Sequence, residues 1–300
     1  MNFKIFAELI ELKAKTASIF PFILGVAYSL YHYQIANFGP LIIYFVAMFC
    51  FNCFVDIWDN YNDYHKAVDT EDYKKNTNII GRENLSLPLI QGLLLFFFSI
   101  SLILGLVVAG LVGWPVFWLG LFCYFIGVFY SAGPKPLSSL PVGELASGLT
   151  MGYLIFLICV YINTSTVFIW NFGTLASTFL VALPSTLLIA NLMLANNTCD
   201  LEEDEGNHRY TIVHYIGKKN ALRWWTSAIV LAYISIVVAV VLGLISPLML
   251  LMFILLPFII KQARPYLQRQ VKSETFIASV KILMVFSLLQ AILMVLALVF

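Results

Sequence analysis

Charged residues are scarce in this sequence, and their scarcity excludes a soluble fold. Asp, Glu, Lys and Arg make up 11% of its 300 residues, whereas 61% are hydrophobic. A soluble domain has about a quarter of its residues charged, so this chain has too few polar side chains to cover its apolar ones in water. Apolar runs recur along almost the whole chain, which also excludes a soluble domain with one anchor. The composition therefore predicts a polytopic membrane protein.

The chain also lacks an excess of positive charge and a cysteine pattern. Its 17 Lys and Arg nearly balance its 16 Asp and Glu, so it has no basic surface of the kind that binds nucleic acid, and we expect no such partner.

The five cysteines are scattered along the chain. Cys50 and Cys53 lie three residues apart in an apolar run without a second such pair or a histidine pair nearby. This spacing favours packing cysteines over metal ligands or disulfides.

The apolar runs are long enough for nine membrane-spanning helices. A helix that crosses the hydrocarbon core needs about 20 apolar residues. On that scale the predicted spans are residues 16–34, 40–58, 87–109, 113–132, 143–163, 168–192, 223–243, 246–261 and 276–299. The sequence thus predicts an all-α fold with nine transmembrane helices in a single domain over residues 1–300. Charges at helical spacing run through residues 1–15, which predicts an interfacial segment rather than a cleavable signal peptide.

Charge is also missing from every second loop. The predicted loops near residues 35–39, 110–112, 164–167 and 244–245 contain no charged residue. The Lys and Arg residues lie in the N-terminal segment, in the other loops or at the start of a span. Because Lys and Arg concentrate on the cytoplasmic side of membrane proteins, we predict a multi-pass protein of the cell membrane, with a cytoplasmic N-terminus and an outside C-terminus.

Most of the acidic residues fall in two clusters, each of which begins at the C-terminal end of a predicted span. We call them the first acidic cluster (residues 56–83) and the second acidic cluster (residues 196–211), and together they hold twelve of the sixteen acids. If the helix continues past the apolar stretch, Asp56, Asp59 and Asp63 share one face at spacing i, i+3 and i+7. Asp200 and Asp204 form an i, i+4 pair.

This spacing indicates cation binding. Like charges on one helix face repel, so without a cation each cluster lowers stability. Mg²⁺ prefers carboxylate oxygens and is often shared with substrate phosphates, so two facing clusters would hold a diphosphate through bridging Mg²⁺. Lys66, Arg82 and Arg209 are available for the remaining phosphate oxygens. The alternative is that the acids lie in solvated cytoplasmic loops and offset nearby Lys and Arg. That alternative is favoured for the outlying acids, which are Glu71, Asp72, Glu202 and Glu205.

Four stretches of the chain resemble the motifs of one membrane enzyme family. They are KAKT at residues 13–16, DNYNDYHKAVD at 59–69, YSAGPKPL with a following GE at 130–144, and NNTCDLEEDEGNHRYT at 196–211. In this order they resemble the UbiA superfamily of intramembrane aromatic prenyltransferases, from about residue 10 to 217. Within that superfamily the chain is most similar to the enzymes that prenylate 1,4-dihydroxy-2-naphthoate in menaquinone biosynthesis. It departs from the motifs where Asp59-Asn60 replaces Asn-Asp and where Cys199 replaces an arginine.

The resemblance implies nine helices around a central cavity with cytoplasmic Asp-rich motifs, and Mg²⁺-dependent transfer of a polyprenyl group from its diphosphate to an aromatic ring. The implied metal ligands are Asp59, Asp63, Asp69, Asp200 and Asp204. The implied catalytic residues are Lys66, Arg209, Tyr61 and Tyr130. The two cations would stabilise negative charge on the leaving diphosphate, and the two rings would stabilise the allylic cation. The implied diphosphate and substrate contacts are Asn60, Arg82, Lys135, Asn196 and Asn197. The polyprenyl tail would lie in an apolar groove open to the lipid bilayer.

Two other functions compete with this hypothesis. The first is prenyl transfer to a different aromatic acceptor, such as 4-hydroxybenzoate. The second is a cation-coupled membrane transporter, because acids between membrane helices also mark ion pathways. Transporters of that kind usually carry internal repeats or helices broken near the middle of the membrane. Here the acids lie at the cytoplasmic ends of the predicted spans, which favours the enzyme.

Overall fold

The structure is a computed structural model that describes residues 1–66 and 76–299, and the backbone but not the side chain of Lys66. Within those ranges the chain forms helices and no strand, which confirms the predicted all-α fold. Membrane-spanning segments must satisfy their backbone hydrogen bonds internally, and a helix does this within one segment. The short helices are α1 (Phe3–Leu9), α4 (Ile79–Arg82) and α10 (Leu201–Gly206).

Eight helical segments of the described residues are long and apolar enough to cross a membrane. Five of them are uninterrupted helices, namely α3 (Phe38–Lys66), α5 (Leu87–Val112), α6 (Trp114–Ser131), α9 (Phe172–Cys199) and α13 (Ile277–Leu296). Another is α11 (Ile212–Val241), which is kinked where Gly217 adopts a φ of 73°. The other two are composite, formed by α7 (Gly143–Ser147), a π-helix (Gly148–Leu154) and α8 (Ile155–Thr164), and by a 3₁₀-helix (Pro247–Leu255) and α12 (Leu256–Gln268). The chain is a multi-pass membrane protein.

The first predicted span, residues 16–34, differs from the other eight. It forms α2 (Thr16–Tyr28), which contains Pro21, and then a π-helix (Ser29–Tyr33) that ends at Gln34 in a left-handed conformation. A 13-residue α-helix is about 20 Å long, which is less than the hydrocarbon thickness. The π-helix extends this helical run to residue 33, and the count of nine membrane-spanning helices stays a prediction.

Two compact units divide the described residues, and the prediction of a single domain stays a prediction. Unit 1 contains residues 1–16 and 38–137, and unit 2 contains residues 17–37 and 138–300. In unit 1, α3 packs along α5 and α6. Ser101 donates a hydrogen bond to the Ala47 carbonyl oxygen (2.8 Å), and the Trp58 indole nitrogen donates to the Val128 carbonyl oxygen (3.1 Å). These bonds satisfy polar groups inside a core of aromatic and aliphatic side chains.

Unit 2 is held by close approach between helices. A Cβ atom added to Gly152 would lie 2.4 Å from the Thr186 Cα atom, so only glycine allows the π-helix and α9 to pack here. Gly148 and Gly152 are four residues apart, the small-residue spacing by which membrane helices approach closely. On the other side of α9, the Asn191 amide donates to the Trp225 carbonyl oxygen on α11 (2.7 Å), which satisfies a buried polar side chain.

Large apolar side chains cover the outer surfaces of the spanning helices. The residues exposed by more than half include Leu95, Ile103, Leu111, Trp114 and Trp118. A soluble protein does not leave apolar patches of this extent open to water. These surfaces suit hydrocarbon, and the polar chemistry is left to the helix ends where the acidic clusters lie.

Candidate functional site

The first acidic cluster lies on the last three turns of α3, in unit 1. The helix continues past the apolar stretch to Lys66, which confirms that Asp56, Asp59 and Asp63 share one face. Asp59 and Asp63 are half-buried. The Asn60 amide donates to the Asp56 carbonyl oxygen (3.0 Å), so this predicted substrate contact is held against its own helix. Asp69 and the other acids at residues 71 and 72 lie outside the described residues, as does the side chain of Lys66.

A lysine from the N-terminal segment neutralises part of this helix face. The Lys15 ammonium is buried, donates to the Asn52 carbonyl oxygen (2.8 Å) and forms an ion pair with Asp56. Asp56 therefore has a protein cation as its partner. Since a buried ammonium without a carboxylate strongly destabilises a fold, the pair of Lys15 with Asp56 supports the end of α3 on which Asp59 and Asp63 lie.

The remaining predicted residues of unit 1 are held by different partners. The Tyr61 ring stacks on Trp58, with 5.9 Å between centroids, and its hydroxyl accepts a hydrogen bond from Gln91 (3.1 Å). Arg82 forms ion pairs with Glu8 (2.6 Å) and Glu83 (3.2 Å). Tyr130 is half-buried near the end of α6, and Lys135 is exposed in the loop that follows. Arg82 is thus already engaged by two carboxylates, while the Lys135 side chain reaches solvent.

The second acidic cluster lies where α9 gives way to α10, in unit 2. Asp200 ends α9, and the backbone N–H of Asp204 still donates to the Asp200 carbonyl oxygen (2.8 Å), which keeps the two residues one turn apart as predicted. Just before the turn, the amide of buried Asn197 donates to Glu144 (2.8 Å). That bond fixes the end of α9 against α7, so Asn197 supports the site from behind.

Among the described acids of the two clusters, Asp204 is the most buried, with 6% of its surface exposed. Its Oδ1 atom lies 3.2 Å from Arg209 Nε, while its Oδ2 atom is buried and has no hydrogen-bond partner among the described residues. Burial raises the pKa of Asp204 to about 6, and Arg209 opposes this rise only in part. A buried carboxylate oxygen without a donor is costly unless a cation binds it. Arg209 and Asp204 are thus brought together, with one carboxylate oxygen left for a further ligand.

The sequence interpretation missed two lysines that contact this cluster. Lys218 on α11 forms an ion pair with Glu202 (2.8 Å). The hydrogen bond that Lys218 donates lowers the pKa of Glu202. Lys272, from the loop after α12, donates to Asn196 Oδ1 and forms an ion pair with Asp200. Neither lysine lies in a recognisable motif. Their positive charge was visible in the sequence, but their distance along the chain from residues 196–204 hid the contacts.

The oxygen-rich donor set suits a hard cation such as Mg²⁺. In the described ranges 1–66 and 76–299, no three His, Cys, Asp or Glu side chains converge closely enough to hold a metal by themselves. Mg²⁺ is commonly bound by one or two carboxylates and completed by water and substrate phosphates. Asp200, Asp204 and the Asn196 amide oxygen fit that pattern, with the unpartnered Oδ2 atom of Asp204 as the observation that favours it.

The chain is similar in sequence to one family of membrane enzymes. The sequence matches the model of the UbiA prenyltransferase family over residues 18–285. It is 27% identical over 268 residues to 1,4-dihydroxy-2-naphthoate octaprenyltransferase of Bacillus subtilis (strain 168), a match that covers 88% of this chain and 82% of that protein.

Two solved structures share the fold. A UbiA homolog from Archaeoglobus fulgidus bound to GPP and Mg²⁺ superimposes with a TM-score of 0.68 at 15% identity, over 99% of this chain and 100% of that one. The apo structure of a UbiA homolog from Aeropyrum pernix K1 superimposes with a TM-score of 0.70 at 16% identity, over 92% of this chain and 96% of that one.

Proposed function

Because the chain belongs to the UbiA prenyltransferase family, we propose that it transfers a polyprenyl group from a polyprenyl diphosphate to an aromatic ring, with 1,4-dihydroxy-2-naphthoate as the acceptor. The Bacillus subtilis relative, which is named for that acceptor, supports the choice. Family membership favours this activity over cation transport. We also propose that the N-terminus and both acidic clusters face the cytoplasm of the cell membrane, since the alternate loops without charge would then face outside.

The observation that carries the proposal is the unpartnered Oδ2 atom of buried Asp204. A carboxylate at the end of a membrane helix, with one oxygen on Arg209 and the other unsatisfied, is built to receive a cation. We propose that Asp200 and Asp204 in unit 2, and Asp59, Asp63 and Asp69 in the first acidic cluster, bind Mg²⁺ together with diphosphate oxygens. The bound ion supplies charge neutralisation that makes the diphosphate a better leaving group.

The protein's own residues would then bind the diphosphate and shield the reacting carbon. We propose that Arg209 and Lys66 donate hydrogen bonds to the diphosphate as negative charge grows on the bridging oxygen. Arg82, Lys135, Asn60, Asn196 and Asn197 are the further substrate contacts of the proposal. Arg82 must leave Glu8 or Glu83 to take that role, whereas Lys135 is exposed and needs no such exchange.

The allylic carbon that loses the diphosphate becomes cationic and requires an electron-rich, dry environment. We propose that the rings of Tyr61 and Tyr130 contribute to it, since an aromatic face stabilises a cation by about 0.5–2 kcal/mol. Stacking on Trp58 and the hydrogen bond from Gln91 hold the Tyr61 ring on the α5 side of α3, away from the face that carries Asp59 and Asp63, so Tyr61 must turn to take this role. The aromatic acceptor then attacks the allylic carbon, and the attacked ring carbon loses its proton, or CO₂ where it carries the carboxylate, so that the ring becomes aromatic again. The prenylated product stays in the bilayer.

The test is a prenyl transfer assay on the purified protein in lipid, with Mg²⁺, a radiolabelled polyprenyl diphosphate and either dihydroxynaphthoate or hydroxybenzoate. We expect a lipid-soluble labelled product with dihydroxynaphthoate. Asp63→Ala and Asp204→Ala should each lower turnover by at least about a hundredfold, as expected when transition-state charge loses a stabilising group.

Glu274→Ala is the matched control, because that exposed acid lies outside both clusters and should leave turnover unchanged. Absence of product with every ring acceptor, in folded protein, would refute the activity. Wild-type rates in both Asp variants would refute the assigned cation site.

A further inference from the structure

Lys272 contacts two of the oxygen atoms of the second acidic cluster that are proposed as metal ligands. It lies between α12 and α13, outside every motif of the sequence. Its ammonium donates to the Asn196 amide oxygen and to one carboxylate oxygen of Asp200, and it lies 5.2 Å from the centroid of the Phe276 ring. All four residues belong to unit 2. The ammonium thus has two oxygen ligands and an aromatic face, all of which favour a cation at this position.

The loop around Lys272 is ordered by its own hydrogen bonds. The hydroxyl of buried Thr275 donates to the Arg269 carbonyl oxygen (2.9 Å) and accepts from the Val271 N–H (2.9 Å). Arg269 and Glu274 form an exposed ion pair (3.7 Å). The Thr275 hydrogen bonds fix the backbone on both sides of Lys272, whereas the exposed Arg269–Glu274 pair contributes little. The loop therefore presents the ammonium to Asp200 while the four-carbon stem of the lysine stays flexible.

The acids of the second cluster are matched by cations from other elements. Arg209 pairs with Asp204, Lys218 with Glu202, and Lys272 with Asp200. Of these three cations, Lys272 alone bonds two side chains of the proposed metal set, Asn196 and Asp200. Cys199 precedes Asp200 directly and carries no charge, so Lys272 supplies positive charge at this turn from another part of the chain.

We propose that Lys272 is the resident cation of the second acidic cluster in the empty enzyme, and that its ammonium moves from Asp200 to the diphosphate when Mg²⁺ binds. The inference rests on the proposed function. An ammonium and Mg²⁺ repel each other when both lie against the Asp200 carboxylate, so metal binding favours release of Lys272. A released ammonium beside a diphosphate finds phosphate oxygens as its new acceptors. Lys272 therefore weakens metal binding in the empty site and strengthens substrate binding in the loaded one.

If Lys272 exchanges partners, its loss should strengthen metal binding and weaken substrate binding. If Lys272 only links the loop to α9, its loss should not have these opposite effects. In Lys272→Gln the side chain keeps hydrogen-bond donors and loses the charge. We expect this variant to bind Mn²⁺, measured by electron paramagnetic resonance without substrate, about threefold to fivefold more tightly, the strength of a half-exposed ion pair. Its KM for polyprenyl diphosphate should rise about tenfold, because a charge-assisted hydrogen bond to phosphate is lost.

Two further variants complete the experiment. Lys272→Arg keeps the charge and should recover most of the KM, and Arg269→Ala, in the same loop but paired only with exposed Glu274, should change neither measurement. Unchanged or weaker Mn²⁺ binding in Lys272→Gln, or an unchanged KM, would overturn the exchange. If the wild type transfers no prenyl group yet Lys272→Gln binds Mn²⁺ more tightly, the proposed function fails while the competition between Lys272 and metal stands.

Discussion

Replacing Asp204 by asparagine should stabilise the metal-free protein while it abolishes activity. Asparagine keeps the shape of the side chain and removes a charge that is buried with one oxygen unpartnered. Burial raises the pKa of Asp204 from 3.8 to about 6. That rise corresponds to about 3 kcal/mol, at about 1.36 kcal/mol for each tenfold change in proton affinity. The opposing attraction of Arg209 is already contained in this value.

The sign of the pH dependence follows from the raised pKa. Between pH 3.8 and about 6 the folded protein binds more protons at Asp204 than the unfolded chain does. The free energy of unfolding therefore falls as the pH rises through this window and stays lower above it. Asp204→Asn has no carboxyl group to titrate there. Its advantage over the wild type should approach about 3 kcal/mol at pH 8 and shrink to about 1 kcal/mol at pH 4.5.

The measurement is thermal unfolding of the detergent-purified protein in EDTA at both pH values. At pH 8 we expect Asp204→Asn to unfold about 5 °C above the wild type. Added Mg²⁺ should raise the wild-type midpoint and leave the variant unchanged, since the variant lacks the carboxylate ligand. Glu203→Gln, which changes an exposed acid of the same helix, should leave the midpoint within about 1 °C of the wild type.

A variant that is no more stable than the wild type at pH 8 would refute the reasoning. The buried carboxylate would then be satisfied within the protein, and Asp204 would have no need of an added cation. An equal gain at both pH values would also refute it, because the effect would then come from packing rather than from charge.

Two further predictions concern the N-terminal segment and the orientation of the chain. Lys15→Met should lower the free energy of unfolding by about 1–3 kcal/mol because it leaves half-buried Asp56 without its cation. Lys15→Met combined with Asp56→Leu should recover most of the loss in the same unfolding assay, and a double variant as unstable as the single one would show that Lys15 acts through other contacts. A reporter enzyme that is active only outside the cytoplasm should be active when it is fused after residue 300. The same reporter fused after residue 219, beside Lys218 and Lys219, should be inactive. The reverse pattern would contradict the proposed orientation.

The membrane architecture and both acidic clusters could be predicted from the sequence because they depend on local pattern. Apolar runs of about 20 residues, such as those within α5 and α13, specify spanning helices whatever their neighbours are. The i, i+3 and i+7 spacing of Asp56, Asp59 and Asp63 fixes their common face as soon as the helix continues. The irregularity of the first predicted span could not be read from its apolar run, since Pro21 lies inside α2 and the helix continues as a π-helix after Tyr28.

The sequence by itself determined which carboxylates exist and on which helix ends they lie, whereas the tertiary structure decided which cations they meet. Lys15 reaches Asp56 across 41 residues, and Lys272 reaches Asp200 across 72. Contacts over such separations depend on helix packing, which no local periodicity encodes. Burial is decided in the same way, because Asp204 and Glu203 are adjacent in the chain yet only Asp204 is turned inward. The scarcity of charge that marks this chain as a membrane protein thus leaves a few charged groups, and packing decides which of them form pairs.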